Sequence, residues 1–248
     1  MAESGEIIVA LDTSNAGEAL SLVEDLMPGI TVFKVGMELF YSTGAGVIDS
    51  IAALGAKVFL DLKLHDIPTT VARAAATLVR PGVYMVDVHA AGGSRMMREA
   101  GEAVRAASAA RGVEAPAVIA VTLLTSIDRD VFSREIAAGC DLGDYVVRMA
   151  RLARESGLDG VVTSAFEVGA IRKACGPGLV TVVPGVRPAW AAEVHDQRRY
   201  MTPRQAVLAG ADHLVVGRPI TRARSPRDAA NALLDEVREA RRDASGGR

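Results

Sequence analysis

Short apolar runs rich in Val, Ile and Leu recur along the chain and alternate with longer Ala-rich stretches. The runs predict strands at Ile7–Asp12, Thr31–Gly36, Lys57–Leu62, Val83–His89, Ala117–Thr122, Asp159–Thr163, Leu179–Pro184 and Asp212–Val216. Between them, segments such as Glu18–Met27, Val47–Leu54, Val71–Val79 and Ser94–Arg111 carry apolar residues at helical spacing. Asn15 with Glu18 reads as a capping box, Gly55 and Gly112 as helix stops, and Pro68 as a first-turn residue. Strands that are almost continuously apolar and alternate with helices imply a parallel sheet covered by helices. Eight such units in 248 residues fit an α/β fold, a (β/α)8 TIM barrel. An open doubly wound sheet is the alternative, but the turn after the first strand reads ALDTSNAGEA and holds no GxGxxG.

No linker or shift in composition divides the chain, so a single barrel domain is expected over 1–248. The segment 238–248, REARRDASGGR, reads as a flexible, solvated tail. The chain is 50% hydrophobic with a formal net charge of -2, which gives a substantial core and no polybasic surface for nucleic acid or anionic membrane. Cys140 and Cys175 form no zinc or redox motif and read as packing residues. The start, MAESGE, does not resemble a signal peptide, and no apolar run is long enough to span a membrane. A cytoplasmic protein is expected.

One bias points to chemistry. Of 28 basic residues, 24 are Arg, and the four Lys are Lys34, Lys57, Lys63 and Lys173. Lys kept inside an apolar strand of such a chain suggests a task that Arg cannot perform, since Arg is effectively never deprotonated. Strand three reads KVFLDLKLHD, so Asp61 and Lys63 share a face near its C-terminal end, where barrel enzymes build their sites. Asp12 ends strand one, Lys34 lies near the end of strand two, and Asp66 follows in the next loop. Such charges could simply tie the fold together, but buried pairs are a poor source of stability. Alternating charges at the catalytic end favour function. After strand eight, HLVVGRPIT places Gly217 and Arg218 where barrels often hold phosphate. The long segment PGVRPAWAAEVHDQRRYMTP adds Arg187 and Gln197 and contains Trp190, and loops of this length are uncommon unless functional or disordered.

These residues carry a resemblance. ALD at 10–12, FKVGMELF at 33–40, FLDLKLHDIPTTV at 59–71, VHAAGG at 88–93, VTLLTS at 121–126, VPGVR at 183–187 and VVGRPIT at 215–221 closely resemble the orotidine 5′-phosphate decarboxylases, in the common bacterial form. The resemblance runs from about residue 6 to residue 235, and DLKLHDIPTT is its most specific block. It implies decarboxylation of orotidine 5′-monophosphate to UMP, with no metal and no organic cofactor. It implies that Lys63 is the general acid that protonates C6 and that Asp61 lies near the substrate carboxylate. Lys34 and Asp12 would hold the charge array and the ribose, and Thr125 the pyrimidine. Arg187, Gln197, Gly217 and Arg218 would grip the phosphate. Asp66 and Thr70 would cross a homodimer interface to the neighbouring active site. His65, inside the motif, is expected to be structural.

Metal-dependent sugar-phosphate decarboxylases and aldolases share the DxKxxD pattern, but carry a Glu where this chain has Lys34, a poor Mg²⁺ ligand. A non-catalytic UMP-binding barrel is a rival of another class. Tyr84, where an acidic or small residue is expected, departs from the family pattern in packing only.

Overall fold

The computed structural model describes residues 7–136, 139–191 and 201–246. Eight strands run in parallel: Ile7–Ala10 (β1), Val32–Gly36 (β2), Lys57–Leu64 (β3), Val83–His89 (β4), Ala117–Val121 (β5), Gly160–Val162 (β6), Val180–Pro184 (β7) and His213–Val216 (β8). Each pairs with its neighbour in chain order, and β8 closes on β1 with Val215 opposite Ile8. That closure excludes the open sheet. Strand ends differ from the sequence expectation by no more than two residues.

Helices cover the barrel: Ala16–Leu26 (α1), Met37–Thr43 (α2), Gly46–Ala53 (α3), Pro68–Thr77 (α4), Gly93–Arg111 (α5), Arg129–Val131 (α6), Leu142–Glu155 (α7), Val168–Cys175 (α8), Pro203–Leu208 (α9), Arg218–Thr221 (α10) and Pro226–Gly246 (α11). Their ends follow local chemistry. Asn15 Oδ1 accepts from the Gly17 and Glu18 N–H groups, a cap worth about 1 kcal/mol. The expected reciprocal half of the capping box runs through Thr13 instead. Thr13 Oγ1 accepts from Asn15 N–H at 3.1 Å, and its hydroxyl donates to Glu18 at 2.7 Å. Gly112, with φ 64°, closes α5 in the left-handed conformation that suits glycine.

Alternation along the strands makes two apolar layers. Ile8, Ala10, Phe59, Met85, Ile119 and Val182 point inward and fill the barrel. Val9, Phe33, Leu60 and Val86 point outward and pack against the helices. Each large side chain fully buried this way contributes about 1.5–3 kcal/mol.

Polar clamps hold the N-terminal end. Arg172 of α8 donates to the Gly210 carbonyl at 2.9 Å and the Leu179 carbonyl at 2.6 Å, and it pairs with Asp212. Asp212 also accepts from Thr181 N–H at 2.7 Å, so one carboxylate ties β7, β8 and α8 together. The flexible tail expected from residue 238 is instead helical as far as Gly246. The reason is tertiary: Ala240 is buried, and Arg241 donates to the Ala211 and Asp212 carbonyls. Among the described residues, no helix is long and apolar enough to cross a membrane.

Candidate active site

The strands deliver four charged side chains to the C-terminal mouth. Lys34 Nζ lies 3.4 Å from Asp12 Oδ1 and 3.3 Å from Asp61 Oδ2. Asp61 Oδ1 pairs in turn with Lys63 Nζ. The line therefore alternates in sign: Asp12, Lys34, Asp61, Lys63. Asp12 is largely exposed, whereas the Lys34 and Asp61 side chains retain only 13% and 14% of their exposure. Burial opposes ionisation of Asp61. Lys34, the neighbouring Asp87 carboxyl and Lys63 together outweigh it and hold the group below its ordinary range. An ammonium at the end of this line has a fixed anionic neighbour and an open side, an arrangement suited to stabilising a developing anion and delivering a proton.

Lys63 reaches that position through an unusual backbone. Its φ is 51°, the only positive value outside glycine among the described residues. A left-handed conformation costs a residue with a Cβ about 1–2 kcal/mol. Pairing of β3 with β4 shifts from Leu60–Val86 to Leu64–Val88, so β3 bulges through Asp61, Leu62 and Lys63. The Lys63 N–H freed from the ladder donates to Asp87 Oδ1 at 2.8 Å. Asp87 is 1% exposed, and its Oδ2 is buried with no hydrogen-bond partner. Burial, and then Asp61 beside it, push the Asp87 carboxyl well above its ordinary value. Asp87 was absent from the sequence-derived site. A signal existed: it is a lone acid in VYMVDVH, on the inward parity of Met85 and His89. Beside the array the rings of His65 and His89 stack with centroids 5.2 Å apart. Burial, then His65 and Lys63, lower the His89 pKa.

The other half of the mouth is a cavity of about 500 Å³ between the loops after β5, β6, β7 and β8. Thr125 and Arg218 both line it. Gly217 lies against Asp12: a Cβ there would sit 3.1 Å from Asp12 Oδ2, so the glycine lets the ends of β8 and β1 approach. Arg187 N–H donates to the Met201 carbonyl at 3.1 Å, closing the base of the long loop after β7. Gln197 lies outside the described residues. Asp66 and Thr70 do not join the array. Both are exposed beside Ile67, which is 66% exposed, and Asp66 Oδ1 accepts from Ile67 N–H at 2.6 Å.

Residues 5–233 match the model of the Orotidine 5'-phosphate decarboxylase / HUMPS family. The chain belongs to this family. Curated proteins named orotidine 5'-phosphate decarboxylase are similar to it over almost their whole length. That of Syntrophomonas wolfei is 49% identical over 234 residues, covering 94% of this chain and 98% of that protein. That of Moorella thermoacetica is 50% identical over 232 residues, covering 94% and 92%. The crystal structure of orotidine 5'-phosphate decarboxylase from Lactobacillus acidophilus is 39% identical, covers 94% of this chain and 98% of that one, and superposes with a TM-score of 0.83. The family match spans both halves of the mouth, from Asp12 to Arg218.

Proposed function

We propose that this protein converts orotidine 5′-monophosphate to UMP and CO₂, the last step of de novo pyrimidine synthesis, with Lys63 as the acid. The observation that carries the reading is the alternating Asp12–Lys34–Asp61–Lys63 line at the barrel mouth. In the reaction, the bond between C6 and the carboxylate breaks and its electron pair stays on C6. No adjacent carbonyl delocalises that pair, so the site must favour charge at C6 more in the transition state than in the ground state. The Lys63 ammonium supplies that stabilisation and then transfers its proton to C6; the amine regains a proton from water. Arg could supply the charge but would be a poor acid. Asp61 sits beside the departing carboxylate, and Lys34 with Asp12 holds the ribose. Thr125 contacts the pyrimidine, and Arg187, Gln197, Gly217 and Arg218 hold the phosphate. Binding energy from that remote phosphate would drive closure of a lid, 185–202, of which residues 192–200 lie outside the described residues. Asp66 and Thr70 act from the partner subunit of a cytoplasmic homodimer. No metal or organic cofactor takes part.

The test is to add EDTA-treated protein to orotidine 5′-monophosphate and follow the ultraviolet absorbance of the orotate ring. Loss of that signal with formation of UMP is expected. Lys63→Ala is expected to lower kcat roughly 1,000-fold or more without unfolding the protein. A wild-type protein that binds UMP but turns nothing over is a binding barrel, and the reading fails. Activity abolished by EDTA and restored by Mg²⁺ points to the metal-dependent sugar-phosphate relatives. Near-normal turnover by the Lys63→Ala protein removes Lys63 from the acid role.

A further inference from the structure

We propose that Asp87 is a positioning residue for Asp61 and Lys63: one carboxyl oxygen anchors the left-handed Lys63 backbone, and the carboxyl braces Asp61 from below. The inference rests on the function proposed above for the Asp61–Lys63 pair.

Three geometric facts carry it. First, Lys63 adopts φ 51° in the β3 bulge, a conformation that its side chain disfavours, so something outside the local backbone must hold it. The bond from Lys63 N–H to Asp87 Oδ1, at 2.8 Å, is positioned to do so. Second, Asp87 is a carboxyl group at 1% exposure, with Lys63 N–H on one oxygen and no donor on the other. A buried carboxylate in that state would be poorly satisfied. Third, its carboxyl neighbour is Asp61, which already pairs with Lys34 and Lys63. Two adjacent carboxyl groups do not both stay ionised in a buried site. The cations lie on the Asp61 side, so the proton belongs on Asp87. The direction of its shift, upward with burial as the leading cause, agrees.

A protonated Asp87 resolves the local accounts. Its carbonyl oxygen accepts from Lys63 N–H, and its O–H donates to Asp61. The Asp61 carboxylate is thereby fixed with one edge toward the lysines. Lys63, a long side chain with four rotatable bonds, starts from a backbone that cannot shift. Small displacements of such a group are expensive for a reaction that depends on aim. Asp87 is 1% exposed, so its proposed effect passes through these two residues.

The experiment compares Asp87→Ala, Asp87→Asn and the wild type in turnover of orotidine 5′-monophosphate. Asn is a neutral isostere: its carbonyl can accept from Lys63 N–H, and its amide can donate to Asp61. Asp87→Ala is expected to lower kcat about 100-fold with little change in KM. Asp87→Asn is expected to recover most of that loss. A folded Asp87→Ala protein with wild-type kcat overturns the proposal. So does an Asp87→Asn protein as impaired as Asp87→Ala, which would mean that a charge is required. A wild type without turnover overturns the functional reading instead. Infrared spectroscopy supplies an arm that needs neither turnover nor a folded alanine variant. The wild type at neutral pH should show a protonated-carboxyl band that Asp87→Asn removes, and its absence overturns the proposal.

Discussion

Asp61 and Asp87 are neighbouring carboxyl groups shifted in opposite directions. Asp61 faces the two lysines that offset its burial, whereas Asp87 lies deeper and is left with Asp61. The difference has a consequence for stability. With Asp87 protonated as proposed, the folded chain near neutral pH keeps a proton that the unfolded chain, with an ordinary Asp value of about 3.9, has lost. Folding is therefore disfavoured progressively as pH rises above about 4, towards the folded value. Asp61 acts with the opposite sign, adding stability above its unfolded value and losing it in acid. Asn at 87 cannot titrate. The stability of Asp87→Asn relative to the wild type should thus increase with pH, by up to about 1.4 kcal/mol per unit. Urea midpoints at several pH values from 4 to 8 measure the gap, and a gap that is flat or narrows means that Asp87 is ionised in the fold.

At the scale of elements, the proposed reaction assigns the loops after β7 and β8 to binding rather than to proton transfer. Arg218 and Thr125 line the same cavity, and Lys63 is not among its lining residues. Arg218→Ala should therefore weaken UMP binding at least tenfold, as loss of a charged bidentate donor does. Calorimetric titration with UMP and uridine tests this, since only the phosphorylated ligand should lose affinity; equal losses for both would remove Arg218 from the phosphate. The strands that carry these loops were legible because burial on both faces leaves runs of Val, Ile and Leu that no other element requires. The β3 bulge was not legible. Strict alternation places Lys63 beside Asp61, and the two do meet, but through a left-handed turn for which lysine gives no local signal. Nor was the last helix. REARRDASGGR is polar enough to read as solvated, and its order comes from Ala240 and Arg241 meeting the barrel floor. Asp87 was legible in principle by parity within its strand.

The whole molecule divides its labour between two ends. The N-terminal end is tied by Arg172, Asp212 and Arg241, while the C-terminal end collects unlike charges around open space. A second copy would add Asp66 and Thr70, which lie exposed beside Ile67 and Pro68. Mixing Asp66→Asn and Lys63→Ala proteins under conditions that exchange subunits tests that arrangement. If Asp66 serves the neighbouring site, hybrid dimers hold one intact site, and about a quarter of wild-type activity returns from two inactive parents. No recovery would mean that Asp66 serves its own barrel. The left-handed turn at Lys63 bears on the history of such a chain. Glycine or asparagine would sit there with less strain, and selection for heat resistance alone would drift towards them. A lineage that keeps lysine is being held there by its chemistry, and an engineer who lets a thermostability screen run unchecked should expect position 63 to be among the first places where activity is traded away.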